Sequence, residues 1–161
     1  MNKVRQAGFV LALAIAAGLL AHCSNNPSSP SPAKLPNGGT TADLTFCVTE
    51  TNRYRAMVGR AALTESASVE TFAAAAAQSD TQTGVPHGYY NAHPPGFSAE
   101  NEAPEWPVTT SIQNTIAAAI AAFWSEGPGG AHYQNMIGPY SQLGCGLFAV
   151  GQSVTIVQDY R

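Results

Sequence analysis

Basic residues are scarce in this chain: Lys and Arg together number seven in 161 residues, against ten Asp and Glu, for a formal net charge of −3. A chain with no basic stripe cannot neutralise a run of phosphates, which excludes nucleic acid as a partner. Charged residues of either sign make up only 11% of the chain and hydrophobic residues 45%, which excludes a mainly disordered protein. Several signatures of common chemistry are missing. There is no Gly-x-Ser-x-Gly elbow to expose a nucleophilic serine. There is no His-Glu-x-x-His and no paired Cys-x-x-Cys to hold zinc at standard spacing. Gly127-Pro128-Gly129-Gly130 lacks the Lys of a phosphate-binding loop and reads as a turn. The length allows one ordinary domain.

What is present begins with an export signal. Lys3 and Arg5 precede an apolar run from Ala7 to Ala21. That run is shorter than the roughly 20 residues a membrane span requires, and it matches the hydrophobic segment of a signal peptide over residues 1–22. Leu20-Ala21-His22-Cys23 resembles a lipoprotein processing site, with Cys23 the residue acylated, although His22 stands where a small residue is usual. Residues 23–41 are rich in Ser, Asn, Pro and Gly and are expected to form a tether. The expected location is therefore the cell envelope as an anchored lipoprotein, or the exterior as a secreted protein. With Cys23 acylated, Cys47 and Cys145 are left as one candidate disulfide in an oxidising compartment, or as two buried thiols.

The remainder, residues 42–161, shows three helical patterns. The first covers about Ala42–Val58, with Thr40 and Asp43 spaced as a capping box and Leu44, Cys47, Val48, Thr51, Tyr54 and Val58 on one face. The second covers about Ser66–Thr81 and carries five consecutive alanines, with Gly84 beyond it. The third covers about Ser111–Ser125, ending at Gly127-Pro128. Gln142–Val150 and Ser153–Asp159, separated by Gly151-Gln152, read as a β-hairpin. Tyr133–Ile137 and Ser98–Glu102 are candidate strands. Helices first and strands last predict an α+β domain, with three main helices on a small, mostly antiparallel sheet. The segment Gly84–Pro107 is too long for a plain connection, so it is a functional loop or contains short strands.

That segment holds His87 and His93, and His132 follows the glycine turn. Glu100, Glu102, Glu105 and Glu126 lie near these histidines in sequence or at element ends. Imidazoles combined with carboxylates bind a divalent metal or share protons as acid and base. Tyr89, Tyr90, Trp106 and Trp124 are candidates to line an apolar groove, with core packing the expected role of Trp124.

In order along the chain, Thr51-Asn52-Arg53-Tyr54-Arg55, His87, Ala99-Glu100-Asn101, Trp124-Ser125-Glu126, Ala131-His132-Tyr133 and Leu143-Gly144-Cys145-Gly146 resemble the CAP superfamily of cysteine-rich secretory proteins, antigen 5 and pathogenesis-related 1 proteins. The resemblance implies an α-β-α sandwich whose cleft is lined by two His and two Glu, here His87, Glu100, Glu126 and His132. It implies that His87 and His132 hold a divalent metal, with Zn2+ the candidate. His87 is preferred over His93 because it follows the second helix closely, as the family's first His does. Glu102 and Glu105 are expected to be solvated or hairpin-face residues. Glu126, at a helix C-terminus, needs a compensating partner. Ala131 stands where the family usually has Gly, and Val157-Gln158-Asp159-Tyr160 lacks the Cys of the family's second signature. These departures argue against transferring venom-type or ion-channel activity.

The expected function is an exported binding module whose cleft holds a metal together with a small apolar, lipid or peptidic ligand, touching a membrane only through its anchor. The alternatives are a metal-dependent hydrolase, with Glu100 or Glu126 as general base, and a structural envelope protein whose His/Glu set stabilises the fold.

Overall fold

The computed structural model describes residues 39–94 and 98–161. The expected signal and nearly all of the expected tether lie outside the described residues, as does Cys23. Among the described residues no helix is long and apolar enough to cross a membrane.

Helix α1 spans Thr41–Met57 and begins as its capping box dictates. The Thr40 N–H donates to Asp43 Oδ2 at 2.8 Å and the Asp43 N–H donates back to Thr40 Oγ1 at 3.2 Å. Leu44, Cys47, Val48 and Thr51 form its buried face. Val58 falls just past the last turn and is exposed, so the apolar face ends one turn earlier than its spacing suggests. Strand β1 is two residues long, Thr64–Glu65. Helix α2, Ala67–Thr83, runs two residues beyond the expected end and closes on Gly84 in the left-handed conformation. A short helix α3, Gly88–Ala92, and strand β2, Ala99–Pro107, occupy the long intervening segment. Helix α4, Ile112–Ser125, is capped by Ser111, whose Oγ accepts from the Asn114 N–H. A single 3-10 turn, Gly127–Gly129, leads into α5, Ala131–Met136. The chain closes with β3, Gln142–Val150, and β4, Ser153–Tyr160, hinged at Gly151.

The strand candidate at Tyr133–Ile137 is helical instead. Its buried side chains, Tyr133 and Met136, are three apart, which suits one face of a helix and would split across the two faces of a strand. Tyr133 packs on Trp124 of α4, with ring centroids 4.5 Å apart.

The sheet order is β1-β3-β4-β2, with β3/β4 and β4/β2 antiparallel and β1/β3 parallel. Alternation along the strands gives it two faces. Cys145, Leu147, Ile156 and Tyr160 join Cys47, Ile116, Ile120 and Met136 in the main core beneath α1, α4 and α5. On the other side Val157 packs with Ala73, Ala76 and Ala77 of α2. The domain is thus an α-β-α sandwich, as the resemblance implies. The alanine face of α2 lies very close to β3: a Cβ on Gly146 would sit 2.1 Å from the Ala73 backbone, and one on Gly144 would sit 2.3 Å from the Glu70 nitrogen. The two glycines flanking Cys145 are therefore a packing requirement of the second layer.

Cys47 and Cys145 form a disulfide across 98 residues, fastening α1 to the central strand β3. The motif Thr51–Arg55 is also explained by the fold. Thr51 Oγ1 accepts from Gln158 Nε2 at 2.7 Å, and the Asn52 side chain pairs with both the N–H and the carbonyl of Leu63. Arg55, 1% exposed, donates to the carbonyls of Ala61, Met136 and Gly138. Its guanidinium ties the segment that follows α1 to the end of α5.

Candidate functional site

His87 caps the N-terminus of α3 with φ of 57°, a left-handed conformation that His adopts more readily than most residues but at a cost in backbone energy. Two contacts hold it there. The His87 N–H donates to Glu102 Oε2 at 2.5 Å, and its Nδ1 lies 2.7 Å from Glu100 Oε1. The carboxylate partner holds the imidazole pKa above its usual value.

Glu100 and Glu102 are two apart on β2, so both project from the sheet face that α2 covers. Both are buried, as are Asp80 of α2 and Asp159 of β4. Glu102 is thereby corrected: it is not a solvated residue but part of the His87 environment, and burial pushes its pKa up to about 7. Asp159, opposite Glu100 in the β2/β4 register, is pushed up to about 9 by burial and by the Glu100 charge. One ligand atom from each of His87, Glu100 and Glu102 can be chosen so that all lie within 4.8 Å of one another. Glu105 is exposed, as expected, at a bulge in β2 where its φ is 46°.

The second pair comes from the α4–α5 corner. Glu126 caps the C-terminus of α4, and the 3-10 turn returns the chain so that His132 Nδ1 lies 2.5 Å from Glu126 Oε1. The His132 N–H also donates to Glu126 Oε2 at 3.1 Å. This is the compensating partner that a carboxylate at a helix C-terminus needs, and the hydrogen bond to His132 lowers the Glu126 pKa. A Cβ on Gly130 would lie 2.2 Å from Glu126 Cβ, so the pair closes only because residue 130 has no side chain. Phe123 backs the His132 ring, with centroids 4.6 Å apart.

Helix α5 is tied to β2 through asparagines. Asn101 Nδ2 donates to the His132 carbonyl at 3.2 Å, while Asn135 Nδ2 donates to the Glu100 carbonyl at 3.0 Å and to Asn101 Oδ1 at 2.9 Å. The segments bearing the two His–Glu pairs are therefore cross-linked at the β2 strand, although each pair is closed within itself.

His93 belongs elsewhere. Its ring stacks on Tyr89 at 4.1 Å and its Nδ1 lies 3.0 Å from the Tyr89 carbonyl. It lines a groove of about 530 Å3 together with Phe72, Ala75 and Tyr89. Tyr89 is thus on a groove, as the aromatic composition of the segment suggested, whereas Trp124 packs between Tyr54 and Tyr133. The sequence signal missed for Glu102 and Asp159 was alternation: both share a sheet face with Glu100 in the strand register.

No curated protein matches the chain. Among solved structures, Na-ASP-1 is 17% identical with a TM-score of 0.60, covering 84% of this chain and 41% of its own length, so this chain spans less than half of that relative. NaASP2, whose structure was solved with Zn2+, is 17% identical with a TM-score of 0.61, covering 80% of this chain and 83% of its own. An outer surface protein from Borrelia burgdorferi is 13% identical with a TM-score of 0.53, covering 81% and 97%. At such identities the likeness establishes the shared fold. The family model for the cysteine-rich secretory protein family matches residues 48–160, from the first helix to the end of the last strand. On that match and this architecture, the chain belongs to the cysteine-rich secretory protein, or CAP, family.

Proposed function

We propose that this CAP-domain protein is an exported binding module in which His87 and His132 hold a divalent metal, oriented by Glu100 and Glu126. The observation that carries the reading is that each imidazole already has one nitrogen engaged by a carboxylate: Nδ1 of His87 by Glu100 and Nδ1 of His132 by Glu126. A carboxylate on Nδ1 fixes the tautomer that leaves Nε2 with a free lone pair, the arrangement common to metal-ligating histidines. These donors fit a zinc-class ion, which the NaASP2 structure also holds. Bound there, such an ion would supply positive charge to attract a polar end of a ligand.

The groove lined by Phe72 and Tyr89, beside the helix that starts at His87, suits the apolar part of a small lipid or peptidic ligand. Export is supported by the signal-like N-terminus and by the outer-surface location of the Borrelia relative. Anchoring through Cys23 completes the reading: labelled palmitate should be incorporated in cells and lost on Cys23→Ala, and incorporation unchanged by that substitution would remove the anchor.

The central test is thermal. Zn2+ should raise the melting temperature of the wild type and leave a His87→Ala, His132→Ala double variant unmoved. Equal shifts in the two proteins would remove the cleft metal. Native mass spectrometry of the purified protein should reveal a bound lipid or peptide.

A further inference from the structure

Four carboxyl groups are buried around His87: Asp80 is 3% exposed, Glu100 6%, Glu102 4% and Asp159 0%. Few donors meet them. The Tyr89 N–H serves Asp80 Oδ1, the His87 N–H serves Glu102 Oε2, and His87 Nδ1 serves Glu100 Oε1. Asp80 Oδ2, Glu100 Oε2, Glu102 Oε1 and both oxygens of Asp159 are buried with no N–H or hydroxyl donor among the described residues, and the Asp159 and Glu100 carboxyls lie within hydrogen-bond reach of each other. The ion pairs of the described residues bring no Lys or Arg to any of the four. Buried carboxylates without donors are costly, and the charge must be neutralised by protons or by a cation.

The geometry suits a cation. The ligand atoms of His87, Glu100 and Glu102 lie within 4.8 Å of one another. His87 Nδ1 lies 2.7 Å from Glu100 Oε1 and 3.9 Å from Glu102 Oε2, both less than the roughly 4.6–5.2 Å spanned by two ligands about 2.3–2.6 Å from a hard cation, so one centre can reach all three residues with little movement. The His87 side chain is 37% exposed, which gives an ion a way in from solvent. We infer that this chain has a second, inner metal position, on the Nδ1 side of His87, with His87, Glu100 and Glu102 as ligands and Asp159 beside them. The position shares His87 and Glu100 with the cleft reading but uses neither His132 nor Glu126, and it is argued from Glu102 and Asp159, so it does not rest on that reading. Oxygen-rich coordination with one imidazole suits Mn2+ better than Zn2+. An ion on Nδ1 leaves Nε2 protonated, so inner occupancy and cleft coordination compete for His87.

The test is a Mn2+ titration of the full chain at neutral pH, read from loss of the free-ion electron paramagnetic resonance signal. Wild type and His132→Ala should each bind one ion with the same affinity, while Glu102→Gln should weaken binding at least tenfold. Electron spin echo modulation on the wild type should show a single imidazole nitrogen at the ion, and this readout holds even where Glu102→Gln fails to fold. Absence of Mn2+ binding by the wild type would mean that protons alone neutralise the carboxyls and would overturn the inference. Two imidazole nitrogens, or binding lost in His132→Ala and kept in Glu102→Gln, would place the ion in the cleft, overturning the inner site while leaving the cleft proposal standing.

Discussion

Arg55 shows what a single side chain can hold in place. Its guanidinium bonds three backbone carbonyls from two separate segments and is buried where water cannot replace it. Arg55→Met keeps much of the packing but leaves those carbonyls without donors, so the domain should lose about 2–4 kcal/mol of stability. Urea denaturation would measure it, and an unchanged midpoint would show that the carbonyls find other partners. Gly130 is the second residue whose identity is forced. Gly130→Ala drives a methyl group into Glu126, which must then withdraw from His132. The expected outcome is a Glu126 carboxyl whose pKa, followed by NMR, rises back toward that of a glutamate without a histidine partner. The fold itself should persist, because Gly130 is half-buried at the end of a turn and lies outside the hydrophobic core.

At the scale of elements, the second layer depends on how closely α2 approaches β3. The alanine run and the two glycines are complementary: small residues on the helix meet a strand that has no side chain at positions 144 and 146 of that face. Gly146→Val must push α2 away from the sheet, and overpacking of this kind costs about 1–3 kcal/mol or more. The loss should be greater than for the same substitution at Gly129, where an added Cβ meets nothing within 4 Å. Equal melting temperatures for the two variants would contradict the close approach. Displacement of α2 would also move Asp80, and with it one wall of the acidic cluster beside His87.

For the molecule as a whole, the Cys47–Cys145 bond closes a loop of 98 residues that contains every element from α1 to β3. Cross-links over loops of this size contribute about 2–5 kcal/mol, so Cys47→Ser with Cys145→Ser should lower the unfolding midpoint accordingly, in a scan under otherwise identical conditions. Stability should also depend on pH through Glu70, which burial and the adjacent Glu65 carboxylate push up to about 7. The folded state then holds this proton more tightly than the unfolded chain. Its contribution is complete below the unfolded carboxyl pKa, declines as pH rises, and is lost above about 7. Glu70→Gln should therefore flatten part of the fall in melting temperature between acid and neutral pH, measured in chelator. A wild-type curve that rises over that interval, or a variant with an identical slope, would contradict this reading.

The amino-acid sequence by itself determined what is local: the capping box at Thr40, the three long amphipathic or alanine-rich helices, the hairpin about Gly151, and the ordered motifs that carry the family likeness. These depend on backbone preference and on spacing of a few residues, which a linear text contains. Tertiary structure alone decided that residues 131–136 are helical, because Tyr133 and Met136 find a pocket against α4. It alone turned Glu102 and Asp159 inward, since pleat and strand register set which carboxylates share a face with Glu100. A polar side chain enters a core only where distant segments supply a reason for it, and that reason is written in their pairing rather than in its neighbours along the chain.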